Sequence, residues 1–236
     1  MSRKRSRSSR AYGLIVVAIV LIVIIWYANS DKKISPVRES AVAPELIDGI
    51  GADGTGGDAL LNREKNRFTK PLDVTDVTID EILHTPSALL ADAGRHKRER
   101  WSSAAMDYAQ EEERRGIRVT GYLIHAKESG PESCNGYSDS LRDYHIWIGN
   151  NPTDDKRSGM IVEITPRWKV VHPEWRLHIM EKLASKHVPV RVTGWLMWDE
   201  EHPDEVGKSR LTQWEIHPVT DFEIYSDNEW RAVGDN

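Results

Sequence analysis

The sequence predicts a mainly β domain with helices, closed into a small five-stranded barrel and preceded by a single transmembrane helix. Three observations carry that reading. Residues 117–123 read IRVTGYL, and residues 190–196 repeat the phrase as VRVTGWL. Each phrase alternates apolar and polar residues, as a half-buried strand does. Each also has a glycine in mid-strand, Gly121 and Gly194. Glycine weakens a strand unless the strand must bend sharply or lie close to another backbone. Curvature of that kind closes a sheet into a barrel. The third observation is residues 11–28, an uncharged run of 18 residues.

As a helix that run spans about 27 Å at 1.5 Å per residue, close to the thickness of a bilayer core. Tyr12, Trp26 and Tyr27 stand at its ends, where amphipathic rings prefer the interface. Arg3, Lys4, Arg5, Arg7 and Arg10 precede it with no acid among them. The positive-inside rule then places the tail 1–10 in the cytoplasm and everything after residue 28 outside, in the periplasm of a Gram-negative host. A cleaved signal peptide has a shorter apolar stretch and a small-residue cleavage site, so an uncleaved anchor is expected.

The whole chain carries 32 basic and 37 acidic residues, a net charge of −5. Setting aside the five basic residues of the tail leaves 27 against 37, or −10, for the remainder. An acidic domain repels phosphate backbones unless it hides a basic groove, which makes nucleic acid an unlikely partner. Cys134 is the only cysteine. Stability must therefore come from a packed core, with no internal disulfide.

Residues 29–70 read as a flexible linker, since 47–58 is IDGIGADGTGGD, dense in glycine and aspartate. It lacks the spaced ligands and closing glutamate of an EF-hand. Residues 71–116 read as a mostly helical segment packed on the barrel. Its helix covers 101–115, with Trp101, Ala105, Tyr108 and Ala109 on one face and Gly116 as the stop. The barrel follows over 117–225. Strands are expected at 117–126, 143–149, 160–166, 189–199 and 210–224, the last bent at Pro218. A helix at 173–186 separates the third strand from the fourth, opening on Pro173 and carrying Trp175, Ile179, Met180 and Leu183 as its apolar stripe.

The order β-β-β-α-β-β, with its paired glycine strands, resembles the OB-fold, a five-stranded Greek-key barrel. The resemblance covers about half of the chain and rests on topology. It implies a binding face on strands two and three, flanked by the loops after strands one and four.

On the second strand, Tyr144, Ile146 and Ile148 alternate with His145 and Trp147. The hydrophobic set belongs to the core, which leaves His145 and Trp147 on the outer face, where aromatics stack on ligands or, for Trp147, pack under the pre-barrel helix. By the same alternation Trp214 and Ile216 point inward, and Glu215 and His217 outward. Glu163, with Asp143 and Arg167, forms a polar patch on or near the third strand. These give the candidate ligand-binding set His145, Trp147, Glu163, Glu215 and His217. Cys134, His145, His172 and His217 are the metal candidates, with Asp139 and Asp143 near them in sequence. None has a CxxC or HExxH spacing. No catalytic residue and no cofactor is assigned. The expected function is a membrane-anchored binding module outside the cytoplasm for an envelope protein or a small polar ligand. Two alternatives stand beside it: a metal-dependent hydrolase using the His/Cys cluster, and a single-stranded nucleic-acid binder.

Overall fold

The computed structural model describes residues 39–41, 43–93 and 97–234. The basic tail and the transmembrane helix expected over 1–28 lie outside the described residues. Among the described residues no helix is long and apolar enough to cross a membrane.

The barrel is built from β4 (Gly116–Glu128), β5 (Tyr144–Gly149), β6 (Met160–Ile164), β7 (Pro189–Trp198) and β8 (Trp214–Ser226), the strands β1–β3 lying before it in the chain. Neighbours run β4-β5-β6-β8-β7, and β7 pairs again with β4, so the sheet closes on itself. Every pairing of the ring is antiparallel except β6 with β8, which is parallel. This is the five-stranded OB barrel that the strand order implied. Two short strands extend the ring: β3 (Val74–Val77) runs parallel to β4, and β9 (Glu229–Ala232) runs antiparallel to β8.

The repeated phrases face each other. Val119 lies opposite Val192, with Arg118 opposite Thr193 and Ile117 opposite Gly194. One phrase thus templates the seam on which the other closes the barrel. Each glycine answers a close approach of backbone. A Cβ built on Gly121 would stand 2.7 Å from the carbonyl oxygen of Gly149, and one on Gly194 would stand 2.3 Å from that of Pro218. The β7–β8 register shifts on both sides of Gly194, opposite the bend expected at Pro218.

The barrel interior holds Ile117, Val119, Ile146, Val162, Val192 and Ile216, all fully buried. Its end is plugged by Trp168 of α5 (Pro166–Val171) and Met180 of α6 (Leu177–Ala184), helices numbered after α1–α4 of the preceding segment. The helix expected at 173–186 is the shorter α6, and α5 is a further helix before it, not expected from the sequence. His172, Pro173 and Trp175 form the turn between them, with Trp175 N–H donating to His172 C=O.

Before the barrel lie α1 (Ala59–Lys65), α2 (Ile79–Leu83), α3 (Ala88–Ala93) and α4 (Ser103–Glu113), together with β1 (Glu39–Ala41) paired to β2 (Thr69–Pro71). Ser102 caps α4 by accepting from Ala105 N–H at 3.2 Å. Gly116 proves to be the first residue of β4 and not a helix cap. Its α-carbon is pressed against Pro71, where a Cβ would clash at 2.3 Å.

The described part of the expected linker is not a free coil. Asp58 caps α1 through Leu60 N–H, and Leu61 and Asn62 are buried. Arg167 reaches from α5 to the carbonyls of Pro44, Glu45 and Ile50 at 3.1, 2.6 and 2.9 Å. Glycine and aspartate here form turns whose backbone groups are satisfied by buried side chains, which composition alone does not distinguish from disorder.

A second buried tie joins this segment to the barrel. Arg98 pairs both oxygens of Glu113 at 2.6 and 2.7 Å, meets Glu200 at 3.1 Å and donates to Trp198 C=O at 2.8 Å. Burial pushes the Glu200 carboxyl up to about 7 despite Arg98.

Two measurements follow from this architecture. Gly194→Val should lower unfolding free energy by about 1–3 kcal/mol, the usual range for overpacking, read by urea denaturation. A neutral result would mean that the β7–β8 crossing tolerates a side chain. Glu200 holds a proton in the folded chain that an unfolded glutamate, with its pKa near 4.3, releases. The unfolded state then binds fewer protons between about pH 4.3 and 7, so stability from this group falls as pH rises through that window. Glu200→Gln should flatten the fall in urea midpoint over the same range.

Candidate functional site

Alternation places His145, Trp147, Glu163, Glu215 and His217 on the outer face of the barrel, as expected, with Ile146, Ile148 and Ile216 in the core. Cross-strand register gathers them. His145 lies opposite Lys127 on β4 and opposite Glu163 on β6, while Trp147 lies opposite His125 and Ile161. Ile161 in turn stands beside Glu215.

That outer face is not open to solvent. Glu163, Glu215 and His217 are 3, 1 and 0 % exposed, and Trp147 is 3 % exposed. The loop 129–143 and the segment carrying α1 fold over it. Asn66 donates to Cys134 C=O at 2.7 Å, and Ser133 Oγ donates to Asn62 at 2.9 Å. Lys65 Nζ joins Glu132 at 3.1 Å and Glu201 at 3.0 Å. The expectation that Glu215 and His217 face outward to a ligand is corrected accordingly: they point away from the core but lie beneath this cover.

Between the cover and the loop 199–213 a cavity of about 520 Å3 remains. Its walls include Ser129, Glu132 and Tyr137 from the loop after the first barrel strand, and Glu201, His202 and Glu205 from the loop after the fourth. His145 and Trp147 of β5 form its floor, with Lys127 and Lys156 beside them. The two ammonium groups stand 5.6 and 5.0 Å from the Trp147 ring, in cation–π range. The indole N–H donates to Ser209 C=O at 2.6 Å, so the ring is held in place. Tyr137 is exposed at the rim.

Below the floor lies a cluster of ionisable groups. His145 Nε2 is 2.6 Å from Glu163 Oε1 and 3.9 Å from Glu132. His217 Nδ1 is 3.6 Å from both Glu163 and Glu215, and its Nε2 is 3.9 Å from Asp143. Asn135 donates to Asp143 at 3.0 Å, and Arg210 binds Glu215 and Asp199, each at 2.6 Å. Burial works against every charge here. The Asp143 carboxyl is pushed up to about 7 by burial and by Glu132 and Glu163. Burial would raise Glu163 too, but His145 and His217 outweigh it and hold that carboxyl at about 2. Burial opposes protonation of His145, yet Glu163, Glu215 and Glu132 lift it to about 9. Burial raises the Cys134 thiol well above its ordinary value, with Asp143 adding to the effect. Three triads have ligand atoms within 4.8 Å of one another: Glu132–His145–Glu163, Glu132–Cys134–Asp143 and Asp143–Glu163–His217.

Of the metal candidates, Cys134, His145 and His217 each belong to one of these triads, and no two of them share one. Cys134 is buried, not exposed on its loop. His172 stays apart: its ring stacks on Trp175 at 3.8 Å and its Nδ1 meets Glu174 at 2.9 Å. Arg167 leaves the polar patch proposed for it with Glu163 and serves residues 44–50 instead. Glu132, Asn135 and Lys65 were not singled out in the sequence. The one signal was Asn62 and Asn66, four residues apart on one helix face, where two amides suggest a buried polar contact.

No protein-family model matches the chain, and no curated protein matches it. Among solved structures, the crystal structure of yeast Stn1 and Ten1 is similar at 13 % identity, covering 68 % of this chain and 74 % of that one with a TM-score of 0.37. The expectation that nucleic acid is an unlikely partner does not stand. It rested on charge averaged over the whole acidic remainder. The fold is an OB barrel, a class that takes oligonucleotides on this face, and locally two lysines flank the floor of the cavity.

Proposed function

We propose that the barrel is a binding module that takes a short stretch of single-stranded nucleic acid into the cavity over β5. The position of the cavity carries the reading. It lies over strand two, between the loops after strands one and four, which flank the surface where OB barrels receive their ligands. Lys127 and Lys156 supply cations for phosphate. Tyr137 supplies an exposed ring for stacking, an interaction that tolerates any base. The acidic wall of Glu201 and Glu205 sets the direction in which a backbone can lie, with its phosphates toward the lysines.

The purified protein should bind a fluorescent single strand of about 12 nucleotides, with affinity falling as salt rises from about 50 to 200 mM. The double variant K127E/K156E should abolish the anisotropy change and leave the circular dichroism spectrum unaltered, because both ammonium groups stand at the cavity's edge. Equal binding by variant and parent would overturn the assignment. Salt-independent capture of an oligosaccharide in its place would keep the cavity and replace the ligand class.

The apolar run 11–28 and the basic residues before it support a second element of the reading: the domain is tethered to a membrane and faces away from the cytoplasm. Full-length chain should sediment with membranes and resist carbonate extraction, and removal of residues 1–28 should release it. Recovery of the full chain in the soluble fraction would remove the tether.

A further inference from the structure

We propose that Asp143, Glu163 and His217 bind one divalent first-row transition ion, with zinc as the ion to test, directly beneath the cavity floor. This does not depend on the oligonucleotide reading, since none of the three residues lines the cavity.

Four polar atoms in this place have no hydrogen-bond partner among the described residues: Asp143 Oδ2, Glu163 Oε2, and both ring nitrogens of His217. The three residues are 0, 3 and 0 % exposed. An unmet buried polar atom costs about 1–3 kcal/mol, and one donor atom from each of the three residues lies within 4.8 Å of the other two. Their separations decide what the cluster suits. His145 and Glu163 sit 2.6 Å apart, a charge-assisted hydrogen bond. His217 Nδ1 is 3.6 Å from Glu163, and its other nitrogen, Nε2, is 3.9 Å from Asp143. Those gaps are too long for hydrogen bonds. The Nε2–Asp143 gap matches two donors on one ion at metal–ligand distances of about 2.0–2.2 Å, which place donors roughly 3–4 Å apart.

The surroundings have the parts of a second coordination shell. Glu215 stands 3.6 Å from His217 Nδ1, on the ring edge away from Asp143. A carboxylate there orients the imidazole so that Nε2 presents its lone pair toward Asp143. Arg210 fixes Glu215 in turn at 2.6 Å. Asn135 holds the other oxygen of Asp143 at 3.0 Å, leaving Oδ2 free. Among the described residues, the ion pairs of Asp143 and Glu163 are with histidines alone; Lys65 and Arg210 are engaged elsewhere. A dication would balance both carboxylates.

One imidazole with two carboxylates favours zinc and its neighbours over calcium or magnesium, which prefer all-oxygen shells. Entry runs from the cavity through Glu132 and His145, which line it and form, with Glu163, a triad of their own.

The test uses the full chain in detergent, stripped with chelator and titrated with zinc chloride by calorimetry. One ion should bind per chain and raise the melting temperature by mass action. Cobalt(II) in its place should give visible absorption of a low-coordinate site. D143N keeps the volume of the side chain and should abolish both signals with the circular dichroism spectrum unchanged. N135A, which frees Asp143 to rotate, should weaken binding by about 10–100-fold. H172A should bind as the parent does. Absence of saturable binding by the parent would overturn the proposal, as would parental affinity in both D143N and E163Q. If H217A does not fold, D143N and E163Q still decide the question.

Discussion

A polar sheet face that is nevertheless buried is the constraint on which the rest of this structure depends. The outer surface of β5, β6 and β8 carries His145, Glu163, Glu215 and His217, and the segment before the barrel lies across it. Polar groups removed from water cost free energy unless they are paired. The cover is therefore fastened with side chains that pair as they bury. Arg167 collects the carbonyls of residues 44–50, Asn66 and Asn62 serve those of Ala52, Asp53, Gly56 and Cys134, and Lys65 ties α1 to the loops after the first and fourth barrel strands. Indole N–H groups do the same for the chain between α1 and β2: Trp168 donates to Arg67 C=O and Trp195 to Thr69 C=O.

Pairing is uneven across the molecule. Around Arg98 each charge has a partner at hydrogen-bond distance, and the group behaves as a structural tie. Around His217 the charges stop short of one another, and polar atoms are left unmet. Buried networks are costly where they are half-satisfied. The contrast within one molecule marks the His217 region as a place organised for something other than holding the fold together. It also lies directly under the cavity that OB topology assigns to ligand, so the two candidate sites share one wall through His145.

How the barrel closes explains why that face is available. Gly121 and Gly194 let β4 and β7 bend where a side chain would meet a carbonyl oxygen of the next strand. The bends bring the two repeated phrases into antiparallel register and leave the loops after β4 and β7 on the same end of the barrel. Trp147 is enclosed by Lys127 of β4, Lys156 of the connection after β5 and the Ser209 carbonyl of the loop after β7.

Much of this was legible in the residues themselves. Alternation separates the core set from the outer set on β5 and β8, because side chains on a strand have a period of two whatever surrounds them. Glycine in a strand announces a close approach, because no other residue fits there. Strand order followed from those signals, and with it the OB barrel. What alternation does not report is what lies on top of a face. Outward was read as exposed for Glu215 and His217, and a glycine- and aspartate-rich stretch was read as linker. Each reading is local, and each is decided by contacts between residues far apart in the chain, such as Asn66 with Cys134 and Arg167 with Ile50. Convergence has the same character. His172 and His217 look alike as histidines beside proline, yet one stacks between tryptophans while the other faces Asp143 and Glu163. The sequence by itself determined the strands, their faces and the points of curvature. Only the tertiary structure decided which polar residues meet and which are covered, because burial is a property of the assembled surface and not of any one strand.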